Sequence, residues 1–186
     1  QGREIIIDKA VDVDGLTIPK NKKSRVVPIT SLLQEDLKRV KLYRKPGEEF
    51  ILSTEDGEHW TIPDKRNWAM RHFKPAIKRV SEIWPLFHQE FESVLGDIPD
   101  HLPGLENARP YDVGRHTNSA LMLQAGTPLI ALASMQGHSV QTLSSVYAHE
   151  IDQVSRGKTI PDADQHRRDA RDLIEKFYAA HPDPLG

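Results

Sequence analysis

Apolar positions along the chain follow three patterns. Near the start they form short β-branched runs: Glu4 to Ile7 reads Glu-Ile-Ile-Ile, and Ser24 to Ile29 carries Val26, Val27 and Ile29, so both stretches predict strands. Between them the turn-like Val13-Asp14-Gly15 leads to an apolar piece from Leu16 to Ile18, and together these segments predict a small antiparallel sheet. Thr30 stands where a helix cap belongs, ahead of Leu32, Leu33, Leu37 and Val40 on one face, with Pro46-Gly47 ending that helix. Phe50 to Leu52 predicts a further short strand.

In the middle of the chain the spacing becomes helical. From Asp64 to about Val80, the residues Trp68, Phe73, Ile77 and Val80 share one face, with Pro75 as a point of kinking or restart. The other face is basic, carrying Lys65, Arg66, Arg71, Lys74, Lys78 and Arg79. Ser81 to Gly96 predicts another amphipathic helix, and Asp97 to Arg109, with Pro99, Pro103 and Gly104, an extended loop. Trp60, Trp68 and Trp84 read as core residues rather than as stacking platforms for bases.

After Pro110 the pattern is helical throughout. Leu121 to Leu123 lead to Gly126, and Leu129, Ile130, Leu132 and Met135 lead to Gly137, each glycine standing where a helix ends in the left-handed conformation. Gln141 to Ala148 predicts a short helix carrying Tyr147, and Asp164 to Ala180 a terminal one with Leu173, Ile174 and Phe177 on one side. The fold class is therefore mainly helical α+β with a small antiparallel sheet at one edge. Its 186 residues read as one domain, of which 150 to 186 form a C-terminal tail.

Composition adds exclusions. Cysteine is absent, which removes disulfides and thiolate zinc sites. No apolar run approaches the roughly 18 residues of a membrane span, and Gln1-Gly2-Arg3-Glu4 does not open a signal peptide, so a cytoplasmic protein is the default expectation. The net charge of -2 argues mildly against nucleic acid, but its distribution matters more: Lys20, Lys22, Lys23 and Arg25 form one basic cluster on the predicted sheet.

Three short motifs carry the candidate chemistry. They are Pro110-Tyr111-Asp112-Val113-Gly114-Arg115-His116-Thr117, Met135-Gln136-Gly137-His138-Ser139, and Val146-Tyr147-Ala148-His149. Arg115 precedes His138 by 23 positions and His138 precedes Tyr147 by nine. In content, order and spacing they resemble the His-x-x-Arg, Leu-Gly-His-Ser and Val-Tyr-Ala-His boxes of the tyrosine recombinase (phage integrase) family. Pro19-Lys20-Asn21-Lys22-Lys23-Ser24-Arg25-Val26-Val27-Pro28-Ile29 is similar to that family's β-hairpin, whose turn lysine precedes an Arg-x-x-Pro strand.

The resemblance implies an integrase-like catalytic core that cuts and rejoins double-stranded DNA at specific sites through a 3'-phosphotyrosine intermediate. It also implies a homo-oligomer on DNA, with no cofactor, metal, membrane or small-molecule substrate. Tyr147 is then the nucleophile, Arg115 and His138 the donors to the non-bridging phosphate oxygens, and Lys20 the general acid to the departing oxygen, with Lys22 and Lys23 as substitutes for it. Lys22, Lys23 and Arg25 are the expected DNA contacts. The chemistry is coherent: negative charge builds on the phosphate during attack, and an arginine fork with an imidazole supplies fixed donors without a metal. An unperturbed phenol ionises near pH ~10, so an attacking tyrosine sheds its proton during attack or sits among cations.

Each residue also has a plainer reading. Arg115-His116 alone is a solvated helix face, Gly137-His138 a helix C-cap, Tyr147 a core tyrosine and the lysine cluster a solvated turn. A metal reading is weaker, because His138 and His149 are 11 positions apart and no His-x-x-x-His pair occurs.

Two departures stand against the resemblance. The family's first catalytic arginine, in a Thr-Gly-x-Arg-x-x-Glu motif, has no counterpart, so residues 1 to 186 are expected to be a fragment and a poor catalyst by themselves. Asp112 stands three before Arg115 where the family has histidine; if Gly114 is a one-residue insertion, Tyr111 takes that place instead, and Asp112 has the plainer role of a helix cap. Rival readings are a non-catalytic remnant that binds DNA or assembles, and a type IB topoisomerase.

Overall fold

The computed structural model describes residues 4–12, 15–19, 22–43, 46–47, 50 and 53–185. Strands β1 (Glu4–Ile7) and β4 (Arg25–Pro28) pair antiparallel, with Ile5 opposite Val27 and Ile7 opposite Arg25. These pairs turn to the half-buried face, whereas Ile6 and Val26 pair on the exposed one. A second antiparallel pair, β2 (Ala10–Asp12) with β3 (Gly15–Thr17), accounts for the apolar Leu16 and brings in a partner strand not expected from the sequence. The strand expected over Phe50 to Leu52 falls largely on residues outside the described ones; next to it Ser53 bridges His59.

Helix α1 (Ser31–Tyr43) begins where expected: the Thr30 hydroxyl accepts the Leu33 N–H at 3.2 Å and its carbonyl the Gln34 N–H at 3.0 Å. Helix α2 (Ile62–Trp68) starts two residues earlier than Asp64, because Thr61 and Asp64 cap it reciprocally. The Thr61 N–H and hydroxyl donate to Asp64 Oδ2 at 2.9 and 2.6 Å, and this bonding lowers the Asp64 carboxyl below its usual range. Pro63 fits because a first helical turn has no use for its missing donor. The Pro75 restart is realised as a π-turn over Ala69–Phe73, followed by α3 (Lys74–Leu95). That helix runs on through the predicted break at Ser81 and through Pro85, with Phe91 out of helical geometry (φ -112, ψ 18).

Helices α4 (Thr117–Gln124), α5 (Leu129–Gln136), α6 (Val140–Val146), α7 (Ala148–Ser155) and α8 (Ala163–Ala180) follow. Gly126 and Gly137 both take positive φ (79 and 69), as expected of helix ends. The architecture is mainly helical α+β with a small antiparallel sheet. No helix among the described residues is long and apolar enough to cross a membrane.

The chain divides into two compact units, residues 1–66 with 119–164 and residues 67–118 with 165–186. In the first, Leu123, Leu132, Ala133, Leu143 and Tyr147 form the core, Leu132 and Leu143 at 0% exposure, while β4 packs on α5. Ser119, fully buried in α4, accepts a hydrogen bond from the Gln136 amide of α5. In the second unit α8 packs on α3: Phe177, 1% exposed, meets the Phe87 ring edge-on at 5.2 Å, and His181 Nε2 lies 2.7 Å from Glu90 Oε2. Phe177 on the tail thus packs within its own chain. The loop over 97–109 is tied to α3 through its carbonyls, which accept from Trp84 Nε1 (Pro99 O, 2.9 Å) and Lys74 Nζ (Glu106 O, 3.2 Å). Of the tryptophans expected in the core, Trp68 is 37% exposed, its ring centroid 6.1 Å from that of Phe73.

Candidate active site

His138 is held between two helix ends. Gly137, in left-handed geometry, donates its N–H to Ser134 O at 3.2 Å, and the His138 N–H donates to Ala133 O at 3.0 Å, the paired bonds of a Schellman turn closing α5. One residue on, the Ser139 hydroxyl accepts the Thr142 N–H at 3.0 Å and caps α6. The histidine backbone is therefore fixed on both sides by local bonds, and Gly-His-Ser is the shortest sequence that supplies all of them: a left-handed residue, a linker and a cap.

Tyr147 was expected inside a helix spanning Gln141 to Ala148. It instead forms the break between α6 and α7, at φ -109 and ψ 27, in the sparsely populated bridge region. Its N–H still donates to Leu143 O at 2.9 Å and its carbonyl accepts from Ile151 N at 3.0 Å, so the junction is a bend rather than a gap. The side chain is 3% exposed and belongs to the same core cluster as Leu132, Ala133 and Leu143. His149, two residues further, is exposed and lies 2.6 Å through Nε2 from the Gln153 amide.

Arg115, in the second unit, stands on a π-turn over Asp112–His116, whose closing bond runs from Thr117 N to Asp112 O. Nη1 of Arg115 donates to the Tyr111 hydroxyl at 3.2 Å, and its Cζ lies 5.2 Å from the Tyr111 ring centroid. The edge of Tyr111 meets His116 at 4.9 Å between ring centroids. Asp112 pairs with Arg109. Its Oδ2 accepts from Arg109 N at 3.1 Å and Arg109 Nε at 2.8 Å, and its Oδ1 from Arg109 Nη2 at 2.8 Å. These are the bonds of a helix-start cap, the plainer role read from the sequence.

The Arg109 fork holds the Asp112 carboxyl down to about 2. Because the folded-state value is depressed from an unfolded one near ~3.9, this pair contributes stability at and above that pH and loses it as pH falls through the folded value. Thermal melts of wild type and Asp112→Asn are thus expected to differ at pH 5 and to converge towards pH 2; an equal gap at both would remove the pair from the account.

Among the expected DNA contacts, Lys22 and Lys23 are exposed, Lys22 with a positive φ of 54 and its N–H donating to Pro19 O at 2.7 Å. Arg25 is half-buried on β4, and its Nε is buried without a hydrogen-bond partner among the described residues. Lys20 lies outside the described residues. The structure thus brings Tyr147 together with the helix that ends at His138, and Tyr111 with Arg115. The Tyr111 contact was legible only as a four-residue helical spacing, and the Arg109 fork on Asp112 as a basic residue at a helix start. Comparison with family models, with curated proteins and with solved structures gives no match.

Proposed function

We propose that this chain is the catalytic part of a tyrosine-type site-specific DNA recombinase, cleaving and rejoining double-stranded DNA through a covalent link between Tyr147 and a 3'-phosphate. The observation that carries the reading is the frame around His138 and Tyr147: a histidine locked between a Schellman turn and a serine cap, then a tyrosine at a helix break on the same core.

In this reading Tyr147 gives up its phenol proton to solvent as it attacks the phosphorus, the bond to the 5'-side deoxyribose oxygen breaks, and Lys20 gives that oxygen a proton. Arg115 and His138 donate to the non-bridging oxygens as charge builds there. Lys22, Lys23 and Arg25 contact the DNA backbone, and several copies act together on it. Asp112, committed to Arg109, takes no part at the phosphate. With Tyr147 buried, its hydroxyl reaches a phosphate once the bend between α6 and α7 opens, and a residue already in the bridge region is a suitable hinge.

That same burial favours a second reading, a remnant that binds DNA or assembles without cutting. A nicked suicide duplex, which loses a short strand after cleavage and so traps the intermediate, separates the two in the full-length protein. The recombinase yields a covalent protein–DNA adduct stable to denaturant; the remnant yields binding alone.

A further inference from the structure

Helices α4 and α5 each place one polar residue in the line of side chains that packs into the core of the first unit. On α4 that line runs from Ser119 to Leu123, four residues on; on α5 it runs through Leu132 and Ala133 to Gln136, at helical spacings of four and three. Leu123, Leu132 and Ala133 share one apolar cluster with Leu143 and Tyr147. Ser119 is fully buried and accepts a hydrogen bond from the half-buried Gln136 amide. The two apolar lines thus end in a polar pair, and the pair stands directly before Gly137 and His138.

The bonds at the end of α5 fix the histidine only to its own helix. Gly137 and His138 donate their N–H groups to Ser134 and Ala133, one turn back. Leu132 and Ala133 hold α5 in the core, but apolar contact has no direction of its own, so it sets the rotation of a helix weakly. The Gln136 amide reaches a second helix from the last residue of α5. A directional bond at that point fixes how far the end of α5 is turned, and with it where His138 emerges. Stability is the smaller part of its effect: Gln136 Oε1 is buried with no partner among the described residues, so the amide makes one bond for two polar atoms, and the net gain from such a bond is small.

We infer that Gln136, through its bond to Ser119, is a positioning residue that sets the end of α5 and so aims His138 at a phosphate oxygen. The identity of the phosphate rests on the recombinase reading. Gln136→Met keeps the length of the side chain and continues the apolar line; adding Ser119→Ala removes the other half of the pair. With both polar partners replaced by apolar groups, the double variant is expected to melt close to wild type. In the full-length protein, adduct formation on the suicide duplex is expected to slow about tenfold, less than the roughly hundredfold cost of a ~1 Å displacement at a reacting centre, with duplex affinity unchanged. The loss is expected to be the same in the single and the double variant, because the first substitution already breaks the bond. Carbon-13 relaxation of the His138 ring gives a readout that needs no cleavage: a rigid ring in wild type and a more mobile one in both variants.

Adduct rates at the wild-type level in both variants would overturn the proposal, and so would a loss of rate with the His138 ring unchanged. A loss of rate matched by a loss of duplex affinity makes Gln136 a binding residue, and one matched by a large fall in the melting temperature of the double variant makes the pair a structural one; either overturns it. If the wild type forms no adduct, the recombinase reading fails separately. The ring relaxation then decides the anchor by itself: a His138 that loosens in both variants supports it, and one that stays rigid overturns it.

Discussion

Tyr147→Phe is expected to abolish the covalent adduct while leaving the fold intact, and Tyr147→Ala to damage both. The phenylalanine keeps the ring packed against Leu132, Ala133 and Leu143 and gives up one hydroxyl, at a cost of about 1 kcal/mol. The alanine empties a site that is 3% exposed in the core of its unit, and truncating a buried aromatic costs about 3–5 kcal/mol. Urea melts therefore separate the two variants by several kcal/mol, whereas the adduct assay scores both as dead. If Tyr147→Phe retains the adduct, another nucleophile does the chemistry; if Tyr147→Ala is as stable as wild type, the tyrosine is not the core residue described.

Arg115→Ala is expected to slow cleavage by about a hundred- to a thousandfold, the usual loss when one preorganised donor to a developing oxyanion is removed. Arg115→Lys recovers only part of it, because a lysine keeps the charge without the planar fork. The side chain is half-buried on the surface of the second unit, and its described bond is to Tyr111. Melting temperatures measured beside the rates separate a loss of chemistry from a loss of folding. Single-turnover rates on the suicide duplex at saturating protein measure this directly. An Arg115→Ala protein within threefold of wild type would take Arg115 out of the active site.

Much of the fold was legible because local chemistry marks it. The helix ends at Gly126 and Gly137 follow from the need for a left-handed residue, the start of α1 from the Thr30 cap, and the antiparallel sheet of β1 and β4 from two β-branched runs. What failed did so for identifiable reasons. Ala10 to Asp12 mixes small, branched and acidic residues, so its pairing with Gly15 to Thr17 leaves no alternation to detect. The helix boundary expected at Ser81 does not form, and α3 runs from Lys74 to Leu95 across it. The break at Tyr147 has neither glycine nor proline beside it, and periodicity carries straight across.

The candidate site divides along the same line. The placing of His138 between a glycine end and a serine start can be read from the letters Gly-His-Ser, because each letter has a backbone task. The Arg109 fork on Asp112 depends on side-chain directions that spacing alone does not fix.

The account stands or falls on one covalent bond. Digesting the trapped complex and sequencing the nucleotide-bearing peptide by mass spectrometry locates it. The predicted result is a single modified peptide containing Val146-Tyr147-Ala148-His149, with the phosphate on the tyrosine oxygen and the 3' end of the cut strand attached. A nucleotide on any other residue, or a protein that binds the duplex and never becomes linked to it, would contradict the claim.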